Sequence, residues 1–145
     1  MKLTRRTLVV AGPLALALRP TAATPDSLRA AIATFTGGAR VTEGRVRLDI
    51  APLVENGNAV PVAVAVDSPM TAADHVRRVA IFTEQNPSPE VVVFHLGPHN
   101  GSAKVATRLR MATSQRVLAL AELNDGSYWQ AAVEVIVTLA ACIEG

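Results

Sequence analysis

The apolar positions of this chain change their period once. In TPDSLRAAIATFTGG, residues 24–38, Leu28, Ile32 and Phe35 recur at helical spacing, Asp26 or Ser27 stands where an N-cap belongs, and Gly37-Gly38 closes the segment. That pattern predicts a short helix. Beyond it the period is two. In RVRLDIA the apolar residues Val46, Leu48 and Ile50 alternate with Arg45, Arg47 and Asp49, and in VPVAVAVD the valines 60, 62, 64 and 66 do the same. HVRRVAIFT, EVVVFHL, AKVATRLRMA, QRVLALAEL and AVEVIVTLAA continue the series, so about seven short strands are predicted.

Turn chemistry separates these strands: Asn56-Gly57-Asn58, Asn86-Pro87-Ser88-Pro89, Pro98-His99-Asn100-Gly101 and Asn124-Asp125-Gly126 all tolerate tight or left-handed backbone. Short strands at this spacing, with no long helix between them, predict an all-β fold: an immunoglobulin-like antiparallel β-sandwich with a short N-terminal helix. Pro61 donates no backbone hydrogen bond and belongs on an edge strand or at a strand start. No internal repeat, linker or low-complexity stretch interrupts the pattern.

The first 23 residues follow different rules. MKLTRRTLVVAGPLALALRPTAA has a basic start (Lys2, Arg5, Arg6), an apolar run from Thr7 to Leu18 and small residues at Ala22 and Ala23, the layout of a cleaved export signal. The run is too short to span a bilayer, which takes about 20 residues. Arg5-Arg6, set between Thr4 and Thr7-Leu8-Val9, fits the twin-arginine type. Residues 1–23 are therefore expected to be a signal peptide and residues 24–145 a single periplasmic domain, long enough for one hydrophobic core.

Losing the signal changes the charge. Lys2, Arg5, Arg6 and Arg19 leave with it and no acid does, so 14 basic residues fall to 10 against 12 acidic ones, a net charge near −2. The basic character of the full chain belongs to the signal, and nucleic-acid binding loses its support.

Candidate chemistry is sparse. No paired carboxylates, glycine-rich phosphate loop or Ser-His-Asp arrangement stands out, so no catalytic residue is assigned. His95 and His99 in FHLGPHNG flank a strand end, but with a strand and Gly97-Pro98 between them they lack the helical geometry of a metal pair, and His75 is the only other histidine. Solvated or internally bonded imidazoles are the reading, with no metal. Arg108 and Arg110 in TRLRMA share one strand face, either a solvated face or a partner-binding one. Tyr128-Trp129 suits a buried sandwich aromatic pair or an interface anchor.

The only cysteine, Cys142, follows directly on the last predicted strand. A single cysteine makes no internal disulfide, so it is free, joined to another molecule, or carrying something. Two readings stay open on the residues alone: a nucleophile presented at the end of an arm, or the last inward-facing residue of the final strand.

The segments TGGARVTEGRVRL, ENGNAVPVAVAVDSPM, NPSPEVVVFHLGP, ATRLRMATSQRVLALAELNDGSYW and VEVIVTLAAC, in that order and behind a twin-arginine-like signal, resemble the SoxY family, the sulfur-carrying subunits of the periplasmic thiosulfate-oxidising Sox system. The resemblance covers essentially the whole mature chain. It implies an immunoglobulin-like subunit paired with a SoxZ-like β-sandwich partner in a heterodimer, exported with it in the folded state, and no cofactor of its own. It places the carrier cysteine at Cys142, within an arm formed by Ala140, Ala141, Ile143, Glu144 and Gly145. By the same resemblance, a haem-containing SoxAX complex joins thiosulfate to that sulfur as a cysteine S-thiosulfonate, the hydrolase SoxB releases sulfate, and a sulfane dehydrogenase oxidises the sulfur that remains.

One departure stands out against the family's usual Gly-Gly-Cys-Gly-Gly ending. Ala140 and Ala141 restrict φ where glycine would not, Ile143 adds β-branched bulk, and Glu144 puts negative charge beside the thiol. The arm is expected to be stiffer and less hospitable to an anion. The alternative to a carrier is a non-carrying periplasmic immunoglobulin-like structural or binding subunit.

Overall fold

The computed structural model describes residues 25–139. Its first element, α1 (Pro25–Thr36), opens on proline, whose missing N–H costs nothing at a helix start, and carries Asp26 in the first turn, ion-paired to Arg29 at 3.2 Å. It ends as the sequence predicts. Gly37 and Gly38 take positive φ (63° and 81°), and the Gly38 N–H turns back to the Ala33 carbonyl at 3.1 Å, capping the last turn.

Nine strands follow: β1 (Val41–Glu43), β2 (Val46–Asp49), β3 (Leu53–Asn56), β4 (Val60–Val66), β5 (Val76–Thr83), β6 (Glu90–His95), β7 (Lys104–Leu109), β8 (Gln115–Leu123) and β9 (Tyr128–Leu139). One sheet runs β1-β9-β8-β5-β6 with β3 added along β9, and the other is β2-β4-β7. Together they make the expected sandwich. The valines 60, 62, 64 and 66 of β4 face Val117, Ala119, Ala121 and Leu123 of β8 across a core completed by Leu48, Val79, Ile81, Met111 and Val135. Residues of opposite parity, Ala80 and Phe82 of β5 with Leu118 and Leu120 of β8, face outward and are covered by Leu28 and Phe35 of α1. Both faces of the central strands are thus buried, which is why β8 reads as a nearly unbroken apolar run.

A polar clamp holds α1 in place. Phe35 sits edge-on to Phe82 and Tyr128, with ring centroids 5.8 and 6.0 Å away. The Arg78 guanidinium stacks 4.2 Å above the Phe35 ring, donates to the Phe35 carbonyl at 2.9 Å and pairs with Glu122. Burial is the largest single influence on Arg78 and opposes its charge, but Glu122 and Tyr128 together outweigh it and hold the guanidinium above its ordinary pKa.

Two strands were not visible in the hydrophobic pattern. β1 and β3 are three and four residues long and pair parallel to β9, at Val41↔Tyr128 and Leu53↔Ile136. Between them the chain crosses to the other sheet as β2, antiparallel to β4. Gly44 (φ 120°) and Arg45 (φ 56°) make the first corner, and the Asp67 N–H donates to the Arg45 carbonyl at 2.7 Å to secure it. β9 starts at Tyr128, four residues before the expected Ala132, because Tyr128 to Gln130 pair with both β1 and β8. Pro61 falls at the start of β4, ahead of Ala63, where pairing with β2 begins. Among the described residues no helix is long and apolar enough to cross a membrane.

Candidate functional site

The functional segment foreseen in the sequence, Ala140 to Gly145 with Cys142, lies outside the described residues, as does the signal 1–23. What the structure places is the root of that segment. β9 pairs with β8 as far as Val135, then continues to Leu139 with β3 as its neighbour. Past Val135 the gap on the β8 side is closed by Ser114, whose hydroxyl accepts from the Val137 N–H at 2.8 Å. On the β3 side the Leu139 carbonyl accepts from the Gly57 N–H at 2.9 Å, and the Gly57 carbonyl accepts from the Met111 N–H at 2.8 Å. The last described residue of β9 is therefore a rung of a ladder that runs through the Asn56-Gly57-Asn58 turn into the loop after β7.

Three large apolar side chains stand exposed at this root: Leu53 (60%), its cross-strand partner Ile136 (59%) and Leu139 (63%). Leu53 and Ile136 lie side by side on the outward face of this edge, while Leu139, three residues further along β9, has the opposite parity. Beside it, β2 leaves β4 after Asp49↔Ala63, and an open groove of about 670 Å³ lined by Ile50, Leu53, Val54 and Pro61 fills the notch. Asp49 and Arg108 lie on its rim but on strands separated by β4, so they do not form an acid–base pair.

The loop after β7 is held by side chains that sequence reading passed over. Gln115 is buried (5% exposed); its Oε1 accepts from the N–H groups of Gln85 (2.8 Å) and Asn86 (3.2 Å), and its Nε2 donates to Asn86 Oδ1 (2.8 Å) and the Thr113 carbonyl (3.1 Å). Asn86 in turn donates to the Arg110 carbonyl (2.7 Å) and accepts from the Ala112 N–H (3.0 Å). A signal for this was present. Gln115 has the same parity as Val117, Ala119, Ala121 and Leu123, so strict alternation puts a polar residue on the core face, where it must find partners.

The other sequence candidates are dispersed. Arg108 and Arg110 do alternate outward while Leu109 and Met111 point into the core, although β7 ends at Leu109 and Arg110 lies just past it. Tyr128 and Trp129 turn to opposite faces: Tyr128 packs on Phe35, while Trp129 lines the inter-sheet core and donates from Nε1 to Ser127 Oγ at 3.0 Å. His95 ends β6 and His99 lies in a single 3₁₀ turn, Pro98–Asn100, both exposed. His75 keeps its Nδ1 2.9 Å from the Thr71 carbonyl. Among the described residues no three His, Cys, Asp or Glu side chains gather as a metal site would require.

The comparisons agree with this architecture. The family model for "Sulfur oxidation protein SoxY" matches residues 32–142. Among solved structures, the sulfur carrier protein SoxY from Chlorobium limicola f thiosulfatophilum is similar at 30% identity and TM-score 0.66, covering 77% of this chain and 92% of that one. A superoxide reductase (neelaredoxin) from Ignicoccus hospitalis, at 18% identity and TM-score 0.58, covers 79% of this chain and 94% of that one. The superoxide reductase from Nanoarchaeum equitans, at 12% identity and TM-score 0.56, covers 66% and 100%. At those identities the reductases share the fold alone. No curated protein matches the chain. With the family match spanning most of the chain and a sandwich of the same build in the Chlorobium carrier, this chain belongs to the SoxY family.

Proposed function

We propose that this chain is a covalent sulfur carrier: it holds thiosulfate-derived sulfur on Cys142 and presents it to partner enzymes, catalysing none of the steps itself. The observation that carries the reading is that the family match, from residue 32, ends on Cys142. The solved relative at 30% identity is itself named a sulfur carrier protein. The chemistry fits. A thiolate exchanges readily with oxidised sulfur, and a rigid strand leading to a short stem lets a nucleophile reach into another protein's active site while its own fold stays outside.

The reading includes export. The twin-arginine-type signal in residues 1–23 sends the folded chain to the periplasm, where oxidised sulfur on a lone cysteine is not reduced by cytoplasmic thiols. It also includes partners: a SoxZ-like subunit in a stable heterodimer, and SoxAX-, SoxB- and sulfane-dehydrogenase-like enzymes in passing contact with the arm. The exposed apolar pair Leu53 and Ile136, neighbours across β3 and β9, supports a protein partner at that end.

Intact mass spectrometry of the chain purified from thiosulfate-grown cells tests the proposal. Wild-type protein is expected to carry sulfur-containing adducts that a reductant removes, and Cys142→Ser none. Adducts that persist in the Ser variant, or a wild-type chain that never carries any, would favour the non-carrying subunit instead.

A further inference from the structure

The two sheets differ in what lies on their outer faces. α1 roofs the six-stranded sheet, where Leu28 and Phe35 cover Ala80, Phe82, Leu118 and Leu120. The outer face of β2-β4-β7 is bare among the described residues, with Arg47, Asp49, Pro61, Lys104, Ala106 and Arg108 all exposed. Strand parity sets what shows there: Leu48, Val62, Val64 and Leu109 point into the core, so their alternates point out. The registers align these in rows. Arg47, Ala65 and Lys104 form one, Asp49, Ala63 and Ala106 the next, and Pro61 stands beside Arg108 beyond them.

Short side chains along β4, between long ones on β2 and β7, leave a trough. The groove of about 670 Å³ in the notch shares Asp49, Ala63 and Ala106 with a recess of about 310 Å³, which in turn shares Arg47, Ala65 and Lys104 with one of about 420 Å³. Its ends differ. The notch end is walled by Ile50, Leu53, Val54 and Val60, the far end by Arg45, Arg47 and Lys104 with Asp67 as the acid among them. Arg45 is engaged by Asp74 at 3.4 Å, whereas among the described residues no carboxylate pairs with Arg47 or Lys104.

Magnitudes decide what fits. Arg47 and Lys104 stand on strands two spacings apart, about 10 Å, so a carboxylate held over Ala65 is about 5 Å to the side of each backbone and within reach of both side chains. A helix, about 10–12 Å across with its side chains, is too wide for walls set about 10 Å apart, whereas a single extended chain fits. The rows of Pro61 and Ala65 lie four residues apart, about 14 Å, and in an extended chain residues four apart face the same side.

We infer that this trough docks an extended acidic segment of a partner protein: an apolar side chain of the segment enters the notch, and a carboxylate four residues away lies over Ala65 between Arg47 and Lys104. The apolar contact anchors the segment, and the two cations fix its register and favour an acidic partner over a basic one. The inference goes beyond the carrier reading and stands or falls without it.

The test titrates the isotope-labelled mature chain, followed by amide NMR at low salt, with a capped serine heptapeptide that has leucine at its second position and glutamate at its sixth. Shifts are expected at Arg47, Lys104 and the β4 residues from Val60 to Ala65, and not on α1 or β6. Serine in place of the leucine should remove the shifts at the notch end, and lysine in place of the glutamate should abolish binding. The double variant Arg47→Gln, Lys104→Gln changes two exposed side chains and should weaken binding about four- to twenty-five-fold, a factor of about two to five for each charge pair. Arg77→Gln, on β5, should leave the affinity unchanged. Shifts that are absent or centred elsewhere, or a double variant that binds as the wild type does, overturn the proposal. So do the same shifts produced by protein concentration alone, which would seat a second copy there, or by phosphatidylglycerol vesicles and not the peptide, which would make the face a membrane surface. None of these outcomes bears on sulfur adducts at Cys142, so failure here is distinct from failure of the carrier reading.

Discussion

Gln115→Leu keeps roughly the volume of a buried side chain and removes all four of its hydrogen bonds. Two backbone donors, of Gln85 and Asn86, lose their acceptor, and two acceptors, Asn86 Oδ1 and the Thr113 carbonyl, lose their donor. At about 1 kcal/mol net for each hydrogen bond the gross loss is about 4 kcal/mol. Burying a leucine in place of an amide returns about 1 to 2 kcal/mol. The expected net cost is about 2–3 kcal/mol, which for a domain of this size lowers the melting temperature by about 10 °C. Thermal unfolding followed by circular dichroism measures the total. Amide hydrogen exchange adds the location: Met111 and Ala112 should lose protection well before β5 and β8, because the loop is released first. A melting temperature within about 2 °C of wild type would refute the reasoning, since it would mean the network adds nothing to an already stable loop.

Two further outcomes follow from the backbone and the turns. Gly44→Ala places a side chain at φ 120°, a conformation glycine alone adopts easily, and should cost about 1–3 kcal/mol in chemical denaturation even though its Cβ would meet Trp129 only at an ordinary 3.5 Å; an unchanged midpoint would show that the corner relaxes freely. In the turn before β9, the hydroxyl and N–H of Ser127 bond to Asp125 (2.6 and 2.9 Å) and hold its carboxyl below the ordinary value of 3.8. Its stabilisation is therefore present in full above that value and lost as the pH falls through the depressed one, so wild type and Asp125→Asn should differ at neutral pH and converge in strong acid; a gap that widens on acidification would contradict this sign.

The sequence by itself determined what depends on near neighbours. Leu28, Ile32 and Phe35 at helical spacing and the closing glycines mark α1, because capping and amphipathic spacing act within a few residues. The alternating valines of β4 mark a half-buried strand for the same reason. Tertiary structure alone decided the rest. β1 and β3 are too short to show a period and exist because β9 offers them a parallel edge more than 80 residues further along the chain. That pairing moves the start of β9 back to Tyr128 and lines its far end with Leu53. The hold of Gln115 on Asn86, and the ladder from Met111 through Gly57 to Leu139, join segments distant in sequence. No local pattern encodes such contacts, since they form only once the two sheets have closed on their common core. A lone cysteine directly after the last strand was legible in the sequence, whereas the hydrogen bonds that anchor Leu139 of that strand became visible only in the fold.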